Sequence, residues 1–213
     1  QDPALVTQAK DTVGSPAERA ATMLAQMTQA EKLTLLEGYF GTSRGTFAAP
    51  AEAREGSAGY VPGIPRLGIP PQWQTDAGIG VASQGGAKAK RVATALPSGV
   101  ATAATFDPAL AYQGGRMIGG EARAYGFNVM LGGGVNLLRE PRNGRNFEYA
   151  GEDPLLAGTI VGAEIAGVQS NHVIDTTKHY ALNDQETDRG TGNFTIDEAA
   201  FRMSDLLAFE LAI

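Results

Sequence analysis

Apolar positions recur along this chain with two different periods, and their alternation lays out the fold. Between Ser15 and Gly38 the residues Ala21, Met23, Leu24 and Met27, then Leu33, Leu35 and Leu36, keep helical spacing. Ser15 with Pro16 and Glu18, and Thr28 with Glu31, offer each of two helical segments an N-cap and a capping-box acid, and Gly38 is placed to stop the second. Residues 41–71 have no period; their Gly and Pro content, densest in VPGIPRLGIPP, predicts an irregular segment wrapping a surface. Residues 73–76 read as a short strand ending on an acid. Residues 83–97, with Gly85, Gly86, Lys88, Lys90 and Arg91, read as a solvated loop.

Asp107 and Pro108 then open a helix whose apolar side, Leu110, Met117, Ile118, Ala122 and Tyr125, runs to Gly126. Gly114, Gly115, Gly119 and Gly120 weaken it unless it packs unusually closely against a neighbour. FNVML at 127–131 is short and apolar like a buried strand, and Asp153 with Pro154 opens an amphipathic helix ending near Asn171. The stretch VIDTTKHYALND at 173–184 begins β-like and ends polar. Thr195 and Glu198 form a third capping box ahead of the stripe Ala199, Met203, Leu206, Leu207 and Leu211, which reaches Ile213 without a break. Strand and helix thus alternate three times, with the polar loops after the strands. That order predicts an α/β fold: residues 1–213 as the N-terminal portion of a (β/α)8 TIM-barrel-like domain, incomplete in this chain.

Composition narrows the function. Lys and Arg number 17 against 23 Asp and Glu, a net charge of −6, so no basic field recommends nucleic acid or an anionic membrane as a partner. With no cysteine, disulfides, thiolate metal sites and a Cys nucleophile are excluded within these residues. His172 and His179, seven apart, meet no familiar zinc spacing. No apolar run is long enough to cross a bilayer. The opening QDPALVTQAK is that of a secreted chain after signal cleavage, or of a cytosolic one. Gly132, Gly133 and Gly134 do not meet the GxGxxG spacing, which argues against a dinucleotide turn.

Charge concentrates in GVNLLREPRNGRNFEYAGEDP, residues 134–154, where Arg139, Arg142 and Arg145 stand among Glu140, Glu148, Glu152 and Asp153. Such a strand-to-helix loop suits a site at the carboxyl ends of the strands; equally, its ions could pair with one another in water. Lys178 and His179 adjoin after the next strand, either as a site or as a snorkelling Lys beside a satisfied His. Asp76 is a polar anchor or the cap of its own turn. Asn193, Phe194 and Thr195 spell a glycosylation sequon.

Five pieces, in order, resemble glycoside hydrolase family 3 in its β-glucosidase-like branch: MTQAEKLTLLEG, GIPRLGIPPQWQTDAGIGV, TALPSGVATAATFDPALAYQGGRMIGGEARAYG, GGGVNLLREPRNGRNFEYAGEDPLLAG and TKHYALNDQETDR. The resemblance implies a retaining, exo-acting β-glucosidase that acts on terminal nonreducing residues of a β-glucoside or oligosaccharide and is secreted or periplasmic, with no metal or organic cofactor. It implies sugar-binding roles for Asp76, Arg145, Lys178, His179 and Arg189. The nucleophile and acid/base of the family match nothing here and are expected in a missing C-terminal part of the same protein. Ser204 and Asp205 look like the nucleophile element, but lie in the last helical stripe, where Asp205 reads as facing solvent. Two departures bear on specificity: Ala77 follows the Asp where the family often has Gly, and Ala82 with Ser83 stand where an Arg is usual. A β-xylosidase of the same family and a noncatalytic sugar-binding relative remain as alternatives.

Overall fold

A computed structural model describes residues 14–43, 45–76, 78–83 and 91–213. The lead-in at 1–13, Ala77, Lys88 and Lys90 lie outside the described residues. The chain divides into two compact units, one of residues 1–38 with 61–71 and one of residues 39–60 with 72–213.

In the first unit both predicted capping boxes form. Helix α1 (Pro16–Gln26) starts where the Ser15 hydroxyl accepts from the Glu18 amide at 3.3 Å and the Glu18 carboxylate accepts from the Ser15 amide at 2.7 Å. Thr28 and Glu31 repeat this for α2 (Gln29–Thr34). That helix closes on Leu35 rather than at Gly38. Its exit tightens through three-residue bonds from Leu36 to Leu33 and from Glu37 to Thr34, so the chain has left the helix before a glycine is needed. Arg66 donates twice to the Glu31 carboxylate and once to the Gln26 carbonyl, tying the two helices to the 61–71 segment.

The strands of the sheet follow the order β1 (Gly59–Val61), β2 (Gln72–Asp76), β3 (Val129–Leu131) and β4 (Ile174–Asp175). Strand β1 corrects the irregular reading of 41–71: its residues are buried, and Tyr60 exchanges backbone bonds with Tyr39 at 2.8 Å. Three residues are too few to set up a visible alternation. Strands β2, β3 and β4 run parallel, with Gln74, Thr75 and Asp76 opposite Val129, Met130 and Leu131, and Val129 and Met130 opposite Ile174 and Asp175. In-register residues of a parallel sheet share a face. Thr75 and Met130, fully buried, mark one face; Asp76 and Leu131 mark the other.

Helices α3 (Gly99–Ala103), α4 (Pro108–Ala124) and α5 (Pro154–Gln169) are capped by Ser98, Asp107 and Asp153, and Gly126 takes the positive φ of 80° after α4. The glycines of α4 answer the condition set for them. A Cβ on Gly115 would lie 2.0 Å from the Glu164 carbonyl oxygen, and one on Gly167 would lie 2.2 Å from that of Tyr112. The two helices meet backbone to backbone. The interior falls into one cluster around Ile118, Phe127, Met130, Val168 and Val173 and another around Val135, Ile160, Ile165 and Phe209.

Four expectations for the remaining segments are corrected. Arg91 is half-buried rather than wholly solvated, its guanidinium 4.7 Å from the Phe127 ring centre, although Val92, Thr94, Ala95 and Pro97 beside it are exposed as a loop in water would be. The last stripe is two helices, α6 (Glu198–Met203) and α7 (Asp205–Ala212), broken at Ser204. Its cap is Asp197, whose carboxylate accepts from the amides of Ala199 and Ala200 at 3.0 and 3.3 Å, while Thr195 and Ile196 lie ahead of the helix, outside any regular element. Asp205 is fully buried rather than facing solvent, because the break turns it toward Arg139, which grips both its oxygens at 2.7 Å. This alternation of parallel strands and covering helices is the N-terminal portion of a TIM-barrel-like domain.

Candidate functional site

The site grows from the carboxyl ends of β3 and β4. Past both strands the two chains stay paired: the Lys178 amide donates to the Gly133 carbonyl and the Val135 amide to the Lys178 carbonyl, each at 2.9 Å. This bridge, between Gly134 and Lys178, delivers Lys178 to the end of the sheet. The charged loop then folds back in a 3-10 turn (Asn146–Glu148) that starts after Arg145. Close approach makes this possible. A Cβ on Gly134 would stand 2.3 Å from the Glu148 carbonyl oxygen, and one on Gly99 would stand 2.7 Å from that of Tyr149.

Glu148 therefore sits buried between two cations. Its Oε1 accepts from Arg145 Nε at 2.5 Å and its Oε2 from Lys178 Nζ at 2.8 Å, with the carboxylate side chain 5% exposed. Burial pushes the Glu148 carboxyl up, but the hydrogen bonds and charges of Arg145 and Lys178 outweigh it and hold the group below its ordinary range.

His179 completes the cluster. Arg145 Nη2 lies 2.7 Å from its Nε2 and the Tyr149 hydroxyl 3.0 Å from its Nδ1. Because an Arg only donates, Nε2 accepts and the ring proton belongs on Nδ1, toward Tyr149. Burial first, then the charges of Arg145 and Lys178, lower the imidazole to about 4, so it is neutral at neutral pH. The Asn136 side chain holds the His179 backbone from both sides, accepting from its amide at 2.6 Å and donating to its carbonyl at 3.1 Å.

Arg189 joins at one remove. It pairs with Glu186 at 3.2 Å, and Glu186 stands 3.5 Å from Arg145. Asp76 is placed by strand register, at the carboxyl end of β2 opposite Leu131, with its backbone carbonyl accepting from Ala82 at 2.9 Å. Of the predicted set, Arg145, Lys178 and His179 thus form one contiguous cluster.

The two readings of the charged loop divide along its length. Arg142 and Glu140 pair in solvent, the Arg side chain 88% exposed, as surface ions do. Glu148 is buried and Arg145 half-buried against it. Glu148, Tyr149, Asn136 and Glu186 carry much of the geometry without having been singled out in the sequence; the Arg145-to-Glu148 spacing of three was the available signal. What results is a patch of fixed N–H donors with an acidic residue on the neighbouring strand, chemistry suited to a neutral polyol, whose hydroxyls both donate and accept. Among the described residues no group of three or more His, Asp or Glu could hold a metal ion, and no helix is long and apolar enough to cross a membrane.

Comparison with known proteins gives the family. The model of the glycosyl hydrolase family 3 N-terminal domain matches residues 55–213. A β-glucosidase of Bacteroides ovatus is 44% identical over 159 residues, which is 71% of this chain and 21% of that protein. The structure of β-glucosidase 3B from Thermotoga neapolitana in complex with α-D-glucose superposes with a TM-score of 0.81 at 34% identity, covering 91% of this chain and 27% of that one. DesR, a β-glucosidase from Streptomyces venezuelae in complex with D-glucose, gives 0.80 at 35% identity, covering 94% and 23%. The chain spans about a fifth of the length of the curated relatives it matches, 21% for the one from Bacteroides ovatus.

Proposed function

The chain belongs to glycosyl hydrolase family 3, and from that premise we propose that the full-length protein is a retaining, exo-acting β-glucosidase whose sugar-binding half lies in these residues. The observation that carries the proposal is the convergence of Arg145, Lys178 and His179 at the end of the parallel sheet, hydrogen-bonded as one cluster in which Lys178 is buried and the other two are half-buried. Lys178 and Arg145 donate to ring hydroxyls, Asp76 accepts from others, and Arg189, paired with Glu186, contributes a further donor by the family resemblance. Contacts of this kind hold a glucosyl ring and can strengthen as it flattens toward an oxocarbenium-like transition state, where binding contributes to rate. On this proposal the catalytic carboxylates belong to the part of the protein beyond these residues, and a secreted or periplasmic location is proposed with it.

The test is hydrolysis of p-nitrophenyl β-glucoside and β-xyloside by the full-length protein, with product anomers followed by NMR. Release of β-glucose as the first-formed anomer, one residue at a time from the nonreducing end of an oligosaccharide, is expected. Asp76→Ala and Arg145→Ala should each lower kcat/KM on the order of 100-fold, as expected for a misplaced substrate. Binding of glucose without turnover would instead identify a noncatalytic sugar-binding relative, and preference for the xyloside a β-xylosidase.

A further inference from the structure

Resting on that reading, we propose that Glu148 is a positioning residue for the glucosyl ring: it sets Arg145 and Lys178 in place and touches neither substrate nor the reacting bond. A carboxylate in a glycosidase site invites the opposite role, that of acid/base or of a hydroxyl acceptor. The geometry argues against both. Each Glu148 oxygen already accepts from a cation, one from Arg145 Nε and the other from Lys178 Nζ, and with the side chain 5% exposed little room is left for a substrate hydroxyl to reach either. The two cations pull its carboxyl toward ionisation, whereas an acid catalyst needs a proton at working pH.

What Glu148 can do follows from the charges around it. Arg145 and Lys178 come from different loops, and both lie close to His179 at the end of the sheet. Without a shared anion, the two cations would repel each other in a poorly solvated place and swing toward water. With it, each gives up one N–H to the carboxylate and keeps others to offer a ligand, Lys178 having three donors and Arg145 five. The backbone makes the position stiff. The Glu148 carbonyl approaches Gly134 more closely than a Cβ would allow, and Gly134 bridges to Lys178, so the carboxylate and its lysine are fixed by the same contact.

Glu148→Gln separates shape from charge. An amide fills the same space but has one acceptor, so one cation must face an N–H₂ group. In the full-length enzyme the variant should keep its melting temperature within a few degrees and lose kcat/KM for p-nitrophenyl β-glucoside about 10- to 100-fold. The discriminating readout is a panel of monodeoxy β-glucosides. For the hydroxyls that Arg145 and Lys178 hold, the penalty for removing the hydroxyl should shrink in Glu148→Gln, because the donors are no longer aimed. A purely structural defect would lower glucoside and deoxyglucoside alike and overturn the proposal. So would a Glu148→Ala enzyme that recovers with dinitrophenyl β-glucoside or with azide, since that marks an acid/base. If the wild-type protein hydrolyses no glycoside, the proposed function falls first. Wild-type turnover with unchanged kcat/KM and deoxy-sugar penalties in Glu148→Gln removes this inference alone.

Discussion

Single residues in this chain are judged best by what they face. Arg139 and Asp205 show it. Asp205 is fully buried with both oxygens on Arg139, whose guanidinium also pairs with Asp184 and is itself 41% exposed. Burial pushes the Asp205 carboxyl up, yet the Arg139 hydrogen bonds prevail and hold it below its ordinary range. The two partners are therefore not equivalent. Arg139→Met would leave a buried carboxylate uncompensated and should cost about 3–5 kcal/mol, while Asp205→Asn leaves an Arg that keeps Asp184 and some water and should cost distinctly less. Denaturant unfolding of both variants in the full-length protein checks the order; equal losses would contradict the account. Sequence reading put Asp205 on a solvent face because its spacing fits an exposed helix position. The break at Ser204, which nothing in the local pattern announces, is what turns it inward.

At the scale of elements, α4 and α5 touch through glycine, and this gives a paired prediction. Gly115→Ala would drive a methyl to 2.0 Å from the Glu164 carbonyl and must push the helices apart, costing several kcal/mol. Gly114→Ala meets only the two Leu96 methyls, at 3.3 and 3.6 Å, and the helix propensity gained, about 1 kcal/mol, should leave it neutral or stabilised. Thermal melts of the two variants should move in opposite directions or nearly so. A second element-level prediction concerns acid groups packed between α5 and β4. Burial, with a smaller contribution from Asp175, raises the Glu164 carboxyl from 4.5 to about 8, and burial raises Asp175 from 3.8 to about 7. In the unfolded chain these groups lose their protons near their ordinary values; folded, they hold them until much higher pH. Between roughly pH 4.5 and 8 the unfolded state therefore gains on the folded one, and this contribution to stability declines as pH rises. Glu164→Gln keeps the neutral form at every pH, so its melting temperature relative to wild type should climb from pH 4.5 to pH 7.5. A difference that stays constant across that range would rule out the raised carboxyl.

For the whole molecule, the elements were largely legible because caps and periodicity are local. Ser15, Thr28, Asp107 and Asp153 start helices where the sequence says, β2 falls on the stretch read as a short strand ending on an acid, and β3 on a short apolar run that ends at glycine. Strand β1 was hidden by its three-residue length among Gly and Pro. At the site, Arg145, Lys178 and His179 could be named from the family resemblance, but the buried Glu148 that joins them could not. Its importance depends on Gly134, Gly99 and Lys178 meeting across a fold, which no linear spacing records. The chain supplies a cation-lined, carboxylate-braced end of a parallel sheet, and the central claim is that this end holds a glucosyl ring in a working hydrolase. The most direct measurement is kcat/KM of the full-length protein for p-nitrophenyl β-glucoside, wild type against Lys178→Ala, with folding checked by circular dichroism. The account predicts turnover by wild type and a loss on the order of 100-fold in a variant that remains folded. Wild-type turnover undiminished by Lys178→Ala would contradict it.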